Sequence, residues 1–181
     1  PALSADHPEY HPKDGGYWRG GVWSPTNYMT LCGLSGYGCD DLAYTIADRY
    51  VKNVVNNFSR TGTLWENYAP ESDEKGNPAR PDFVGWTGLA PISIFFEYVL
   101  GIRADVPANT VYWNVNKTER HGIFQYPFGT DITMDLVCEA RESADEEPMI
   151  TATSNKPVTI LVRWNGKEKT IHSCKSDTQG V

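Results

Sequence analysis

The sequence predicts an α+β chain, a helical first half followed by a small antiparallel β-sandwich-like tail. Three observations carry that expectation. From Leu42 to Phe58 apolar residues recur every three or four positions, as on one stripe of a helix. From Ile132 to Cys138 they recur every second position, as on one face of a strand. Asn165-Gly166 stands between two strand-like runs, and this dipeptide suits a two-residue hairpin turn because both positions accept positive φ.

The first helix is expected to begin at Ser24-Pro25, a side-chain acceptor for free N–H groups followed by a residue with no N–H to satisfy. It runs through Tyr28, Leu31 and Leu34 and ends in Gly36-Tyr37-Gly38. Asp40 or Asp41 caps the second helix. Its stripe is Leu42, Ala43, Ile46, Ala47, Tyr50, Val51, Val54, Val55 and Phe58, roughly 27 Å long, and Gly62 stops it. The stretch from Leu89 to Leu100 has only Ser93 and Glu97 as polar breaks. Periodicity does not separate a helix buried all round from a buried strand there. Its length favours helix, with Pro91 in the first turn.

Beyond Pro107 the period becomes two, and about six short strands are expected. They are Val111 to Val115, Gly122 to Tyr126, Ile132 to Cys138, Met149 to Thr153, Pro157 to Trp164 and Lys167 to Cys174. The domain division drawn from this change of period is 1–103 and 104–181.

Composition narrows the class. Apolar residues make up 40% and charged residues 22% of the 181 residues, which is globular rather than disordered. A net charge of −7 leaves no basic footprint for nucleic acid or an anionic membrane surface. No apolar run approaches the ~20 residues that span a bilayer. The chain opens Pro1-Ala2-Leu3, without Met or a signal-type segment, and so reads as a processed, excised or recombinant piece. Aromatic residues reach 12%, and four of the six Trp (Trp18, Trp23, Trp65, Trp86) lie in the first ninety residues, among Gly and Asn.

Short connections make successive helices antiparallel. The loop before the first helix (Gly15 to Trp23) and the loop after the second (Thr61 to Trp86) are therefore expected at the same end. Together they hold those four Trp with Tyr17, Arg19, Glu66, Asn67, Tyr68 and Asp82. A loop as long as Glu66 to Trp86 is uncommon inside a compact domain and points to function, although its middle, Glu71 to Gly76, reads as a solvated excursion. Glu66 lies among Trp65, Asn67 and Tyr68. It is either a solvated surface carboxylate or an acid held against aromatic walls, where desolvation tunes its protonation. Flat rings with Asn, Arg and Asp around them also fit a sugar site.

These residues carry a resemblance. Gly16-Tyr17-Trp18-Arg19-Gly20, with Val22-Trp23 and Asn27-Tyr28, resembles one segment of the inverting glycosidases with an (α/α)6 barrel. Trp65-Glu66-Asn67-Tyr68-Ala69-Pro70 with Asp82-Phe83-Val84-Gly85-Trp86-Thr87-Gly88-Leu89 resembles the segment that follows. The families concerned are glycoside hydrolase family 63, the mannosylglycerate-hydrolase-like enzymes and the trehalases of family 37. The likeness covers roughly Gly15 to Gly101. It implies the C-terminal helices of an (α/α)6 toroid, incomplete in this chain, with the β tail appended.

The resemblance further implies that Glu66 is the catalytic base activating water. It places Tyr17, Trp18, Arg19, Trp23, Asn27, Tyr68 and Trp86 in the sugar subsite, with Arg19 bonding hydroxyls or orienting the base. Inversion needs a second carboxyl group, roughly 6.5–9.5 Å from the first, to protonate the leaving oxygen. In the family that acid comes from an earlier helical hairpin. Asp14 and Asp82 do not match its motif. The expectation is thus the C-terminal portion of a glycoside hydrolase acting on α-glycosidic bonds, inactive alone. Its partners would be an oligosaccharide or glycoside and the missing N-terminal part of the barrel, or a second copy through the unpacked apolar face.

No cofactor or metal is expected. Cys32, Cys39, Cys138 and Cys174 lack C-x-x-C spacing, and the pairs Cys32/Cys39 and Cys138/Cys174 are left open between disulfides and free thiols. His7 and His11 are interrupted by Pro8 and Pro12, His121 and His172 have no partner motif, and the cluster Glu139, Glu142, Asp145, Glu146 and Glu147 lacks calcium-loop spacing. Location is open, with the periplasm or exterior preferred for a sugar-degrading enzyme. Two rival readings remain: a non-catalytic carbohydrate-binding module, and a structural module whose aromatic loops are only packing.

Overall fold

The computed structural model describes Pro1 and residues 3–175; Ala2 and residues 176–181, the last six of the expected β tail, lie outside the described residues. The chain divides into two compact units, Pro1–Tyr98 and Val99–Val181. Among the described residues no helix is long and apolar enough to cross a membrane.

The first unit contains a 3₁₀ turn at Tyr17–Arg19, helix α1 at Ser24–Gly36, helix α2 at Asp40–Thr61 and a second 3₁₀ turn at Trp86–Leu89. That turn runs into a π-helix at Ala90–Val99, which ends one residue past the unit boundary. Pro25 sits in the first turn of α1 as expected, but Ser24 does not cap it. The Ser24 hydroxyl is buried against the Tyr50 hydroxyl at 2.5 Å, so it fastens α1 to α2 rather than satisfying its own helix end. Neither Asp40 nor Asp41 caps α2: Cys39 is the flanking residue and makes no side-chain cap. The two carboxylates lie in the first turn, where the positive end of the helix dipole favours them. Gly62 closes α2 in the left-handed region at φ 72°, with its N–H on the Phe58 carbonyl at 2.7 Å.

Only part of the α2 stripe is covered. Ala43, Ala47, Tyr50, Val51 and Val54 are buried, whereas Leu42, Val55 and Phe58 are about half exposed. The segment after Leu89 is helical, as its length suggested, but is not buried all round. Ala90, Ile94 and Tyr98 face inward at every fourth position, while Ile92 is exposed.

In the second unit eight strands are described: β1 Ile102–Asp105, β2 Thr110–Asn114, β3 His121–Phe128, β4 Ile132–Cys138, β5 Ile150–Ser154, β6 Thr159–Trp164, β7 Lys167–His172 and β8 Cys174–Lys175. They form two four-stranded sheets, ordered β1-β2-β6-β7 and β3-β4-β5-β8. The six expected strands are present. β1 was missed because only Ile102 of its four residues is buried, which leaves no alternation to read, and β8 is too short to carry any. The expectation of an antiparallel tail needs correcting in two places, since β2 pairs with β6 and β5 with β8 in parallel. Asn165 (φ 40°) and Gly166 (φ 72°) make the β6–β7 turn in the left-handed region that the dipeptide suits. Val111 and Trp113 of β2, Ile160 and Val162 of β6, and Met134, Leu136 and Cys138 of β4 are fully buried and make the core of this unit.

Candidate active site

Two loops of the first unit are stitched together by backbone. Val22 and Tyr68 form an isolated antiparallel bridge, exchanging N–H···O bonds of 2.9 and 3.0 Å. The segment Gly15–Trp23 is thereby laid beside the segment that starts at Leu64, as the antiparallel helices require.

Glu66 is at the centre of this junction and is 6% exposed. Its main chain is fixed on both sides: its N–H donates to the Arg80 carbonyl at 2.9 Å, and its carbonyl accepts the Trp86 indole N–H at 3.0 Å and the Thr87 hydroxyl at 3.4 Å. The carboxylate accepts one hydrogen bond, from the Tyr17 hydroxyl to Oε1 at 3.2 Å. Burial, then the negative charge of Glu66 and that hydrogen bond, push the Tyr17 phenol above its ordinary value, so Tyr17 stays protonated as the donor.

The walls are aromatic. Trp18 lies flat on Trp23, with centroids 4.1 Å apart and planes 10° from parallel. Tyr17 stands edge-on to Trp23 at 4.8 Å, and Trp86 meets Trp23 at 5.8 Å and Phe83 at 4.9 Å. Trp23 is fully buried, whereas Trp18 is 50% and Trp86 38% exposed, so the outer rings reach solvent from a rigid base. The backbone comes very close here. A Cβ on Gly21 would lie 2.3 Å from the Tyr17 carbonyl oxygen, and one on Gly76 would lie 1.8 Å from Asn67 Oδ1. Among the described residues, both Trp23 Nε1 and Asn67 Oδ1 are buried without a hydrogen-bond partner, a donor and an acceptor of the kind a sugar hydroxyl or a water satisfies.

The structure brings Tyr17, Trp18, Trp23, Glu66 and Trp86 together, but not all the residues singled out from the sequence. Asn27 spends its amide on the Trp23 carbonyl at 2.8 Å, in the first turn of α1. Tyr68 is buried, with its hydroxyl accepting the Trp65 N–H at 3.3 Å. Both line a separate groove of about 810 Å³ between α1, α2 and the loop from Tyr68 to Asp73, which does not include Glu66. Arg19 is exposed and contributes its backbone carbonyl to His11. Asp14 is tied to the Gly16 N–H and the Asn77 amide, and these bonds hold its carboxyl below the usual range. Asp82 bonds the Thr63 hydroxyl. Arg80 and Thr87 were not picked out. Arg80 acts partly through its carbonyl, which no side-chain pattern reveals, and an Arg among prolines in a long loop was the one available signal.

Among the described residues no group of three His, Cys, Asp or Glu side chains could hold a metal ion. All four cysteines are free thiols: Cys32, Cys39 and Cys174 are exposed, and Cys138 is buried, which pushes its thiol up.

Residues 2–95, a little over half of the chain, match the family model described as the glycosyl hydrolase family 63 C-terminal domain. The chain belongs to glycosyl hydrolase family 63. This family 63 chain is 34% identical over 93 residues to Alpha-glucosidase 2 of Arabidopsis thaliana, an overlap covering 46% of the chain and 12% of that protein. It is 32% identical over 92 residues to a Periplasmic trehalase of Xanthomonas campestris pv. campestris, covering 49% of the chain and 16% of that protein. A third relative, an Uncharacterized protein of Borreliella burgdorferi, is 27% identical over 183 residues and extends the likeness across the β unit, covering 94% of the chain and 38% of that protein. The family 63 chain therefore spans between about one eighth and two fifths of these curated relatives. No solved structure matches it.

Proposed function

We propose that this chain is the C-terminal portion of a glycoside hydrolase that cleaves α-glycosidic bonds with inversion, supplying Glu66 as the general base and the aromatic wall of a sugar subsite. The observation that carries the reading is Glu66, buried beside the aromatic cluster, whose carboxylate accepts a single hydrogen bond among the described residues, from Tyr17. A water bonded to the other carboxylate oxygen would give up a proton to Glu66 as it attacks the anomeric carbon. The leaving oxygen takes its proton from an acid on the opposite side of the sugar. That acid belongs to an upstream segment, whose helices would pack against the half-exposed stripe of α2 and close an (α/α)6 toroid. Trp18 offers the free face of a stacked indole pair to a pyranose ring. Arg19, Asn27 and Tyr68 would complete the sugar subsite at its rim.

The test is hydrolysis of α-glucosides by the chain alone and by a longer polypeptide that carries it. The chain alone should be inactive and the longer polypeptide active, releasing the anomer opposite to that of the substrate. Glu66→Gln should lower turnover by about 10²–10⁴-fold while sugar binding survives. Sugar binding with no turnover in either form would favour the carbohydrate-binding module, for which the exposed Trp18 face is the supporting feature.

A further inference from the structure

The resemblance assigns Tyr17 to the sugar subsite and gives Arg19 either hydroxyl bonding or orientation of the base. The geometry points to a different division of labour: Tyr17 is the positioning residue of Glu66, fixing one carboxylate oxygen through its hydroxyl so that the other is presented to the attacking water. The inference rests on the reading of Glu66 as the base and deepens it.

Four observations converge on Tyr17. Its hydroxyl is the one polar side-chain partner of the Glu66 carboxylate among the described residues, at 3.2 Å across 49 positions of sequence. Because an ionised carboxylate only accepts, Tyr17 must donate, and a phenol is a donor that does not compete as a base at neutral pH. The Glu66 backbone is already clamped by Arg80, Trp86 and Thr87, so the side-chain torsions are the freedom left to remove. The Tyr17 ring cannot swing away, since it stands edge-on to both Trp18 (5.8 Å, 76°) and Trp23 (4.8 Å, 82°).

The fourth observation is backbone strain. Tyr17 has φ 65°, a left-handed conformation that is a genuine outlier for a bulky residue. It is over-determined by its neighbours. Gly15 (φ 79°) and Gly16 (φ 45°) lead into it, and Gly21 donates its N–H to the Tyr17 carbonyl at 2.9 Å, from a position where any Cβ would collide with that same carbonyl. Strain held this firmly marks a conformation kept for what it presents. What it presents is the phenol hydroxyl at Glu66 Oε1. Arg19, two residues on, is exposed and points its carbonyl at His11.

No proton passes through Tyr17 in this role. Water gives its proton to Glu66, the upstream acid gives one to the leaving oxygen, and the Tyr17 hydroxyl keeps its own hydrogen throughout. The charged groups that act on the pair are Glu66 itself and the Arg80 guanidinium, which acts on Tyr17.

The experiment is Tyr17→Phe, which removes the hydroxyl and keeps the ring. In the longer active polypeptide, kcat should fall about 10- to 100-fold with KM changed less than about twofold, because the base is misplaced while sugar binding is kept. Tyr17→Leu, which also removes the ring, should lower kcat further and raise KM. A raised KM at unchanged kcat in Tyr17→Phe, or both constants unchanged, overturns the inference. Failure of the base reading is distinguishable: Glu66→Gln would then retain turnover, whatever Tyr17→Phe does to kcat.

Discussion

The hydroxyls of Ser24 and Tyr50 lie 2.5 Å apart in a buried contact that ties the first turn of α1 to the middle of α2. Tyr50→Phe leaves the Ser24 hydroxyl buried without its partner and should lower stability by about 1–3 kcal/mol. Adding Ser24→Ala should recover part of that loss, because the stranded polar group is removed with it. Urea unfolding of the two single variants and the double variant measures the coupling; strictly additive losses would mean the contact contributes nothing.

A second expectation concerns alkaline pH. Burial raises the phenols of Tyr17, Tyr50 and Tyr68 above 10.0, and burial together with Glu97 raises Tyr28 to about 12. The folded chain therefore keeps protons that the unfolded chain releases from about pH 10. The stabilisation is complete below pH 10 and is lost as pH climbs from there through about 12. Thermal midpoints should fall as pH rises above about 9, where the raised Cys138 thiol adds to the same trend, and fall more steeply above pH 10, with that steeper part shallower in Tyr28→Phe. A midpoint that holds steady to pH 12 would contradict the burial of these rings.

Glycines at two places should respond in opposite directions. A Cβ on Gly76 would sit 1.8 Å from Asn67 Oδ1, beside the Glu66 loop, so Gly76→Ala should destabilise by about 1–3 kcal/mol and disturb the site. Gly33, in the interior of α1, has open space at its Cβ position, and Gly33→Ala should stabilise by about 0.5–1 kcal/mol. Chemical denaturation of both variants decides it, and equal effects would show that the close approach at Gly76 is relieved at no cost.

The half-exposed residues Leu42, Val55 and Phe58 of α2 form the stripe left for upstream helices in the proposed toroid. The chain on its own should self-associate and bind an apolar dye. Val55→Asp with Phe58→Asp should reduce both, with the thermal midpoint little changed. Light scattering of the isolated chain checks this, and a strictly monomeric, dye-silent parent would remove the reason to expect a covering partner.

What the sequence disclosed follows from how locally each feature is encoded. α2 was readable because its buried stripe keeps one period from Ala43 to Val54 and Gly62 supplies the left-handed stop. The β6–β7 hairpin was readable because its turn chemistry is contained in two residues. The true role of Ser24 was hidden because its partner lies 26 positions away, and a helix-start pattern looks the same whether its hydroxyl caps or cross-links. The π winding of Ala90–Val99 left no trace in an almost wholly apolar run. At the site, the short α1–α2 connection was enough to expect the two loops together, and the structure brings Glu66 within reach of Tyr17 beside the Trp cluster. The positions of Asn27 and Tyr68 were not legible in the same way, because spacing does not say that the Asn27 amide is spent on a helix turn or that the Tyr68 hydroxyl turns to the Trp65 N–H.

The bridge between Val22 and Tyr68 has a mechanical consequence. Each residue holds the other by both backbone groups, so the two loops behave as a clasp, and neither can peel away without releasing its mate. The exposed span from Glu71 to Lys75 is fastened to the same clasp, since Tyr68 also bridges Lys75, the Ala69 N–H donates to the Glu74 carbonyl at 3.0 Å, and Asn53 and Arg60 of α2 hold Asp73. A change of length there would pull on Tyr68 and, through it, on the strand of chain that carries the carboxylate.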